Sequence, residues 1–194
     1  MFNRKLKEEY RNLKQEIDIL KDDLKLALLI QNDNAETLGQ TPMRRITVPI
    51  ELSEGAKIPE YKTELSAGAD LSCVIDNETQ SVLLHPNQKW LFNTGVKLQL
   101  PPNAEAQIRP RSGISLKRGL VAVLGTIDVD YRGEIKIVLH NVSKKEQLIT
   151  HGDRLAQIVF NGAGGLFQAD FKVVEKIDND TQRGENGFGH TGIN

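Results

Sequence analysis

From Arg44 onward, apolar and polar residues alternate, and this period of two constrains the fold more than any other feature of the sequence. The alternation is clearest at Ile46, Val48, Ile50, Leu52, at Val96, Leu98, Leu100, and at Ile135, Ile137, Leu139. Successive side chains of a strand point to opposite faces, so each run predicts a strand with one buried face. Turn-forming pairs such as Glu54-Gly55, Pro86-Asn87 and His151-Gly152 separate the runs. Many short strands without helical crossovers predict an all-β sandwich or barrel.

The first 38 residues follow a different rule. Their apolar stripe advances by alternating steps of four and three residues, through Leu6, Tyr10, Leu13, Ile17, Leu20, Leu24, Ala27 and Gln31. This spacing predicts a helical coiled-coil extension over residues 1–38, with a linker at 39–43 that contains Pro42. The stripe must be buried, either against the chain's own domain or by self-association, and the heptad pattern favours self-association.

Composition narrows the function by exclusion. The chain has 194 residues and a formal net charge of −1, so no overall charge draws it to nucleic acid or to a membrane surface. No apolar run approaches the length of a membrane span. Cys73 has no cysteine to pair with, and the four histidines lack the spacing of metal ligands. We therefore expect a cytoplasmic protein (host cytoplasm if viral) without a zinc site.

Two loops carry groups suited to an anion. "AGAD" at 67–70 sets Gly68 two residues before Asp70, which suits a close backbone approach, although this stretch alone favours a plain β-turn. "RPRSGIS" at 109–115 combines Arg111, Ser112 and Gly113, whose guanidinium, hydroxyl and backbone N–H are phosphate donors. We expect no helix N-terminus there, and a basic surface loop is the alternative interpretation.

Three further stretches complete the set. "GTIDVDYRGEI" at 125–135 predicts a tight hairpin, with Asp128 placed as a general base and Tyr131 as a ring to stack on. Gln157, in "GDRLAQI", is by itself typical of an edge-strand residue. The tail "RGENGFGHTG" carries Arg183, Phe188 and Thr191 among glycines and reads as a hinged cover. It lacks the strand and helix of a dinucleotide fingerprint.

In this order, the five stretches resemble the motifs of the trimeric dUTPase family over roughly residues 44–192. The resemblance implies a jelly-roll-like β barrel at 44–182 and a C-terminal lid at 183–194. It also implies a homotrimer whose three active sites are shared between subunits, with the lid reaching a neighbouring site. No membrane and no nucleic acid are required.

The reaction implied is hydrolysis of dUTP to dUMP and pyrophosphate by water attack on the α-phosphate, which limits uracil in DNA and supplies dUMP for dTMP synthesis. By resemblance, Asp128 deprotonates the water and Tyr131 stacks under the deoxyribose. The backbone of an expected 121–128 hairpin, including Thr126 and Ile127, reads the uracil edge, because a fixed donor rejects cytosine.

The phosphate chain falls to residues from several loops. The resemblance assigns it to Arg111, Ser112, Gly113, Gln157 and Arg183, with Phe188 over the uracil and with Gly189, His190 and Thr191 as further donors. Lys136 is expected among the substrate-binding residues. Mg²⁺ is expected to be held by the triphosphate and by water, with Asp70 nearby and no direct protein ligand.

The sequence departs from the family at three points. His190 stands where a small hydroxyl residue is usual, and "GLVAVLGTID" lacks a pocket asparagine found in several members. The N-terminal extension is unusual as well. On a three-fold body it predicts a parallel trimeric stalk, and it leaves room for a protein partner.

Two other functions remain open at this stage. A dCTP deaminase shares the architecture but needs a glutamate near the pyrimidine, and only Glu134 is close in sequence. The second alternative is an interaction protein that uses the helix to bind a partner and the nucleotide site as a sensor. Release of ammonia from dCTP would distinguish the deaminase from a dUTPase. Removal of residues 1–43 would distinguish the interaction protein from an enzyme.

Overall fold

A computed structural model describes Lys14, Lys21 and residues 43–187. The chain divides into two units, 1–42 and 43–194. Lys14 and Lys21 are helical and exposed, whereas every position of the predicted heptad stripe lies outside the described residues. The stalk, its linker and its partner therefore stay predictions. Among the described residues, no helix combines the length and apolar character needed to cross a membrane.

Within residues 43–187 the fold consists of eleven strands and one short helix. They are β1 (Arg45–Leu52), β2 (Gly68–Ser72), β3 (Ser81–Leu84), β4 (Lys89–Leu98), β5 (Ala104–Pro110), α1 (Ser112–Arg118), β6 (Leu120–Ala122), β7 (Gly125–Ile127), β8 (Ile135–Asn141), β9 (Gln147–Thr150), β10 (Arg154–Gly162) and β11 (Gly165–Val173). The prediction of an all-β body is confirmed.

Most strands belong to one curled sheet. Its strand order is β6-β8-β4-β1-β11-β10-β5-β7, with β2 beside β10, while β3 and β9 form a separate pair. The two end strands, β6 and β7, are separated along the chain only by Val123 and Leu124. Such a link spans about 10 Å at most, so the two ends of the sheet must lie close together. The sheet therefore curls towards closure.

The alternation in the sequence sets the buried face. Val48, Ile50, Val96, Leu98, Leu100, Ile135, Ile137 and Leu139 are all buried, at 4% exposure or less. Three aromatic rings join them, with ring centres 5.6 Å apart for Phe160 and Phe167 and 5.8 Å apart for Phe160 and Phe171. This single core fixes the strands whose ends and loops carry the site residues.

Three local predictions were wrong. Residues 125–135 do not form a hairpin, because β7 pairs with β5 (Ile108 opposite Gly125) while β8 pairs with β4 and β6. The 121–128 segment is likewise not a paired hairpin. In addition, a helix begins at Ser112, where none was expected. It ends at Gly119, whose left-handed conformation (φ 63°) caps it, with Lys117 and Arg118 in its last turn.

Candidate active site

Of the predicted site residues that the structure describes, all except Asp128 line one of two separate pockets. The first pocket, the Tyr131 cavity, has a volume of about 420 Å³ and a mostly apolar lining. Of the predicted residues, Thr126, Ile127, Tyr131, Lys136 and Arg183 line it. The second, the Arg111 pocket, has a volume of about 310 Å³. Its lining includes Gly68, Asp70, Arg111, Ser112, Gly113 and Gln157.

The loop between β7 and β8 is held in shape by Tyr131. The Tyr131 backbone N–H donates to the Asp128 carbonyl (3.1 Å), and the phenol donates to the Glu134 carbonyl (2.9 Å). The side chain is nearly buried, and burial, followed by the carboxylates of Glu134 and Glu185, raises the pKa of the Tyr131 phenol. Tyr131 therefore stays a protonated donor at neutral pH and forms a fixed wall of the cavity.

Glu134 ties the same loop to strand β4. Its Oε1 accepts from the backbone N–H groups of Thr94 (3.0 Å) and Gly95 (2.7 Å), at the point where β4 bulges. Gly95 has a φ of 67°, and a Cβ there would lie 2.6 Å from the Cβ of Ala56, so the bulge requires glycine. Glu134 thus holds the loop that forms this wall of the cavity.

Asp128 lies directly after the lining residue Ile127, which packs against the core. Its own side chain is 49% exposed, so water reaches the carboxylate. The Arg183 guanidinium forms an ion pair with Asp128 and lies 5.5 Å from the centre of the Tyr131 ring. Asp128 and Tyr131, assigned by sequence to base and sugar platform, are therefore adjacent.

Residues 181–185, at the start of the tail, are anchored beside this cavity by several bonds. Thr181 Oγ1 donates to the Asp130 carbonyl (2.7 Å), and the Arg132 backbone N–H donates to the Gly184 carbonyl (2.8 Å). Lys97 pairs with Glu185 (2.8 Å), which raises the pKa of Lys97 and lowers that of Glu185. Arg183 is thereby held at the cavity by its own chain.

Arg132 is a positioning residue that the sequence did not reveal. It is 6% exposed, and its guanidinium donates to the carbonyls of Asp178 (2.7 Å) and Val129 (2.8 Å). A buried guanidinium needs such acceptors. Here they join the loop between β7 and β8 to the C-terminal segment. No role was assigned to Arg132 from the sequence. Its acceptors are backbone carbonyls, and no pattern of side chains in the sequence indicates which carbonyls an arginine will reach.

In the Arg111 pocket, the buried carboxylate of Asp70 is held between two guanidiniums. Arg111 meets it through Nε (2.7 Å) and Nη2 (3.0 Å), and Arg154 through Nη1 (3.0 Å). Arg111 Nη1 also donates to the Arg154 carbonyl (2.7 Å). Because two cations share one anion, a net positive charge remains at the pocket. Several N–H donors of Arg111 already have partners within the chain.

Ser112 and Gly113 are the first residues of α1. Backbone N–H groups in the first turn of a helix have no acceptor within it, and no side chain caps this helix. A Cβ placed on Gly113 would meet nothing within 4 Å, so the backbone there is open to the pocket. The donors predicted from "RPRSGIS" are therefore offered by a helix start rather than by a plain loop.

Gln157 is not an edge residue, because β10 is paired on both sides, with Arg109 of β5 and Asp70 of β2 opposite Gln157. Its amide donates to the Pro110 carbonyl (3.0 Å). Its Oε1 lies 2.6 Å from where a Cβ on Gly68 would be, so this packing requires glycine at 68. The close backbone approach expected at "AGAD" is present.

Within the described part of the chain, no residue lines both pockets. Phe188, Gly189, His190 and Thr191 lie outside the described residues. Two residues of the Arg111 pocket were missed by sequence reasoning, Lys62 and Ser66. The only signal for them was a lysine and a serine within eight residues before Asp70.

Comparison with known proteins points to one family. The dUTPase family model matches residues 54–192. The deoxyuridine 5'-triphosphate nucleotidohydrolase of Fusobacterium nucleatum subsp. nucleatum is 40% identical over 152 residues, covering 77% of this chain and 99% of that protein. The protein of the same name from Treponema denticola is 45% identical over 145 residues, covering 74% and 96%.

Solved structures agree with the fold. The dUTPase from phage phi11 of S. aureus has a TM-score of 0.53 at 26% identity, over 69% of this chain and 99% of that one. A mutant of that enzyme, whose structure details the coordination of a structural Mg(II) ion, has a TM-score of 0.54. A dUTPase mutant of Staphylococcus bacteriophage 80alpha with dUpNHpp has a TM-score of 0.52 at 27% identity, over 76% and 99%. The chain therefore belongs to the dUTPase family.

Proposed function

We propose that this chain hydrolyses dUTP to dUMP and pyrophosphate, with water attacking the α-phosphorus. The observation that carries the proposal is Arg183, which lines a cavity of about 420 Å³ together with Tyr131 and forms an ion pair with Asp128. That volume lies in the range of small-molecule sites. The cellular result is less uracil available to DNA and a supply of dUMP for dTMP synthesis.

In this proposal Asp128 orients the water and takes its proton. The carboxylate is half exposed and follows the short strand β7, so it is held by backbone pairing yet open to solvent. A general base must reach the proton within hydrogen-bond distance. The ion pair with Arg183 occupies Oδ2 of Asp128, and the triphosphate offers Arg183 a second anion.

The Tyr131 cavity would take the nucleoside. Tyr131 supports the deoxyribose, and its fixed ring leaves no room for a 2′-hydroxyl. β7 is the last strand in the sheet order, so the ladder of the described strands pairs it only with β5. Its second edge leaves backbone groups of 125–127 free to read uracil, as an edge strand does. Val123 and Leu124 line the cavity, and the pocket asparagine expected from the resemblance is missing from this stretch, which leaves recognition to the backbone.

The Arg111 pocket would take the phosphate chain. Arg111 and Arg154 supply positive charge, the N–H groups at Ser112 and Gly113 supply donors, and Gln157 lies on the floor. Lys136 and Arg183 approach the chain from the cavity side. Phe188 over the uracil, and Gly189, His190 and Thr191 as donors, complete the proposed lid.

The active site is proposed to be shared between subunits of a homotrimer. The proposed nucleoside residues and phosphate residues line two different pockets of one chain. A nucleoside and its phosphates are covalently joined and must be bound at one place, which supports a site built from two subunits. A neighbouring subunit's Arg111 pocket facing the Tyr131 cavity would complete the site, and cyclic symmetry then gives three equivalent sites.

Mg²⁺ fits this donor set only as a companion of the substrate. Among the described residues, no three acidic, histidine or cysteine side chains group as a metal site, and both oxygens of Asp70 are bound by arginine. Mg²⁺ keeps waters and takes phosphate oxygens readily. The ion would thus be held by the triphosphate, with Asp70 nearby, and would neutralise phosphate charge.

The test is pyrophosphate release from dUTP compared with dCTP, dTTP and UTP, with Asp128→Asn as the control. We expect release from dUTP alone and its loss in the variant. Ammonia from dCTP would point to a deaminase instead. Binding of dUTP without any release would turn the proposal towards a nucleotide sensor.

A further inference from the structure

Lys62 lies outside the family motifs, yet its side chain lines the Arg111 pocket with Asp70, Arg111 and Gln157. It also lines an adjoining hollow that contains Arg154. The side chain is 43% exposed, and its ion-pair partner is Glu60, whose own side chain is 64% exposed. A flexible cation thus stands at the rim of a pocket that already carries net positive charge.

The two residues before Lys62 are held by the fold. Glu60 forms a β-bridge with Asp70, in which the Asp70 N–H donates to the Glu60 carbonyl (2.8 Å). Tyr61 packs against the core, and its hydroxyl accepts from the Ala169 N–H (2.8 Å). With Tyr61 directed inward, its neighbour Lys62 is directed to the pocket side. The fold therefore sets the position of the Lys62 backbone, whereas the contact of its flexible side chain with Glu60 is a surface pair.

We propose that Lys62 binds the β,γ-diphosphate part of dUTP, and after reaction the pyrophosphate product, in the Arg111 pocket. This inference rests on the proposed function. The nucleoside and the α-phosphate leave together as dUMP, so the Arg111 pocket retains the two phosphates that Lys62 faces. An exposed pair with one carboxylate is weak. A diphosphate with several charges competes for the same ammonium group.

Glu60 acts in this account as a resting partner. Its hydrogen bond and charge interaction with Lys62 lower the pKa of Glu60, so the carboxylate is ionised at neutral pH. When the diphosphate arrives, Lys62 turns from Glu60 to the phosphates. Loss of the Glu60 charge should therefore make Lys62 more available and tighten pyrophosphate binding.

The test measures inorganic pyrophosphate binding by calorimetry, together with KM for dUTP and product inhibition by dUMP. Lys62→Met should weaken pyrophosphate binding and raise KM by roughly 3- to 10-fold, the range for a half-exposed charged contact. Inhibition by dUMP should stay within about twofold. Lys62→Arg should retain most of the affinity, and Glu60→Gln should strengthen pyrophosphate binding.

Lys57→Met is the matched control, because Lys57 lies in the same segment and lines the adjoining hollow but not the Arg111 pocket. Equal effects of Lys57→Met and Lys62→Met would overturn the proposal, since they would reflect general electrostatics. Unchanged pyrophosphate binding in Lys62→Met would also overturn it. Calorimetry needs no turnover, so a wild-type chain that binds pyrophosphate through Lys62 but leaves dUTP intact would refute the proposed function alone.

Discussion

The guanidinium of Arg183 is paired with the carboxylate of Asp128 and lies over the ring of Tyr131. One arginine therefore contacts both the proposed base and the proposed sugar platform within a single chain. Its position is secured by Thr181 and Glu185, which bind Asp130 and Lys97. Arg183 occupies one oxygen of the proposed base, and the triphosphate offers Arg183 a second anion.

Asp128→Asn should abolish most hydrolysis while dUTP still binds. The amide keeps the shape of the side chain but cannot take a proton, and a positioned general base contributes roughly 10²–10⁴-fold. Single-turnover rates measure the loss, and calorimetry with dUTP measures binding. A variant that keeps the wild-type rate would exclude Asp128 as the base.

Replacing Arg183 should impair the reaction of the triphosphate more than the binding of dUMP. Arg183→Ala removes a cation from the phosphate chain, which costs about 2–4 kcal/mol in transition-state stabilisation. Arg183→Lys should recover part of this stabilisation, because lysine keeps the positive charge. The recovery should be incomplete, because lysine lacks the planar fork of the guanidinium. The ratio of kcat/KM for dUTP to the inhibition constant of dUMP gives the comparison. An equal loss for both ligands would show that Arg183 only holds the fold.

Tyr131 should set the preference for deoxyribose. Tyr131→Ala opens the space beside the sugar, so the ratio of kcat/KM for dUTP over UTP should fall by at least about tenfold. Tyr131→Phe keeps the ring and loses only the bond to the Glu134 carbonyl. It should retain the preference and lower the free energy of unfolding by about 1 kcal/mol. Unaltered discrimination in the alanine variant would assign sugar selection elsewhere.

Gln168 should stabilise the loop before Asp70. Its buried amide donates to the carbonyls of Glu64 and Ser66, both at 2.8 Å, while its Oε1 has no partner among the described residues. Gln168→Leu leaves two carbonyls unpaired and should lower the free energy of unfolding by roughly 1–3 kcal/mol. Urea unfolding measures this. Exposed Gln80 is the comparison site, and a Gln168→Leu variant as stable as Gln80→Leu would contradict the argument.

The single thiol should make stability depend on alkaline pH. Burial, with a smaller effect of Asp153, raises the pKa of Cys73 from 9.0 to about 11. The folded state disfavours the thiolate, so this contribution is complete below about pH 9 and is lost as the pH rises through about 11. Compared with Cys73→Ala, the wild-type chain should lose stability over that interval in urea titrations. Parallel curves for the two proteins would contradict the assignment.

The sequence predicted the core well and the pairing of strands less well. Alternation at Ile46–Leu52, Val96–Leu100 and Ile135–Leu139 gave the buried face correctly, because one-sided burial is encoded in each strand alone. The supposed hairpin at 125–135 failed because β7 pairs with β5, a partner distant in sequence. The helix after Arg111 was missed although Gly119 and two basic residues mark its end.

Site residues were also predicted where their role is local, and missed where it depends on residues distant in sequence. Residues with distinctive chemistry in loops, such as Asp128, Tyr131 and Arg111, were assigned from sequence. In the structure Tyr131 and Arg111 line two pockets, and Asp128 pairs with Arg183 beside the first of them. Arg132 and Lys62 were not assigned, because their roles depend on carbonyls and on a β-bridge to Asp70 that only the folded chain creates. Gln157 was interpreted as an edge residue since nothing local reveals that β10 has neighbours on both sides.

The most direct test of the shared site mixes two inactive variants. Arg111→Ala should disable the Arg111 pocket, and Asp128→Asn the Tyr131 cavity. After joint unfolding and refolding, a site built from two subunits finds an intact pair in about a quarter of cases for an equal mixture. The account predicts that dUTP hydrolysis returns to about that fraction of the wild-type rate. A mixture as inactive as its two components would contradict it and confine each site to one chain.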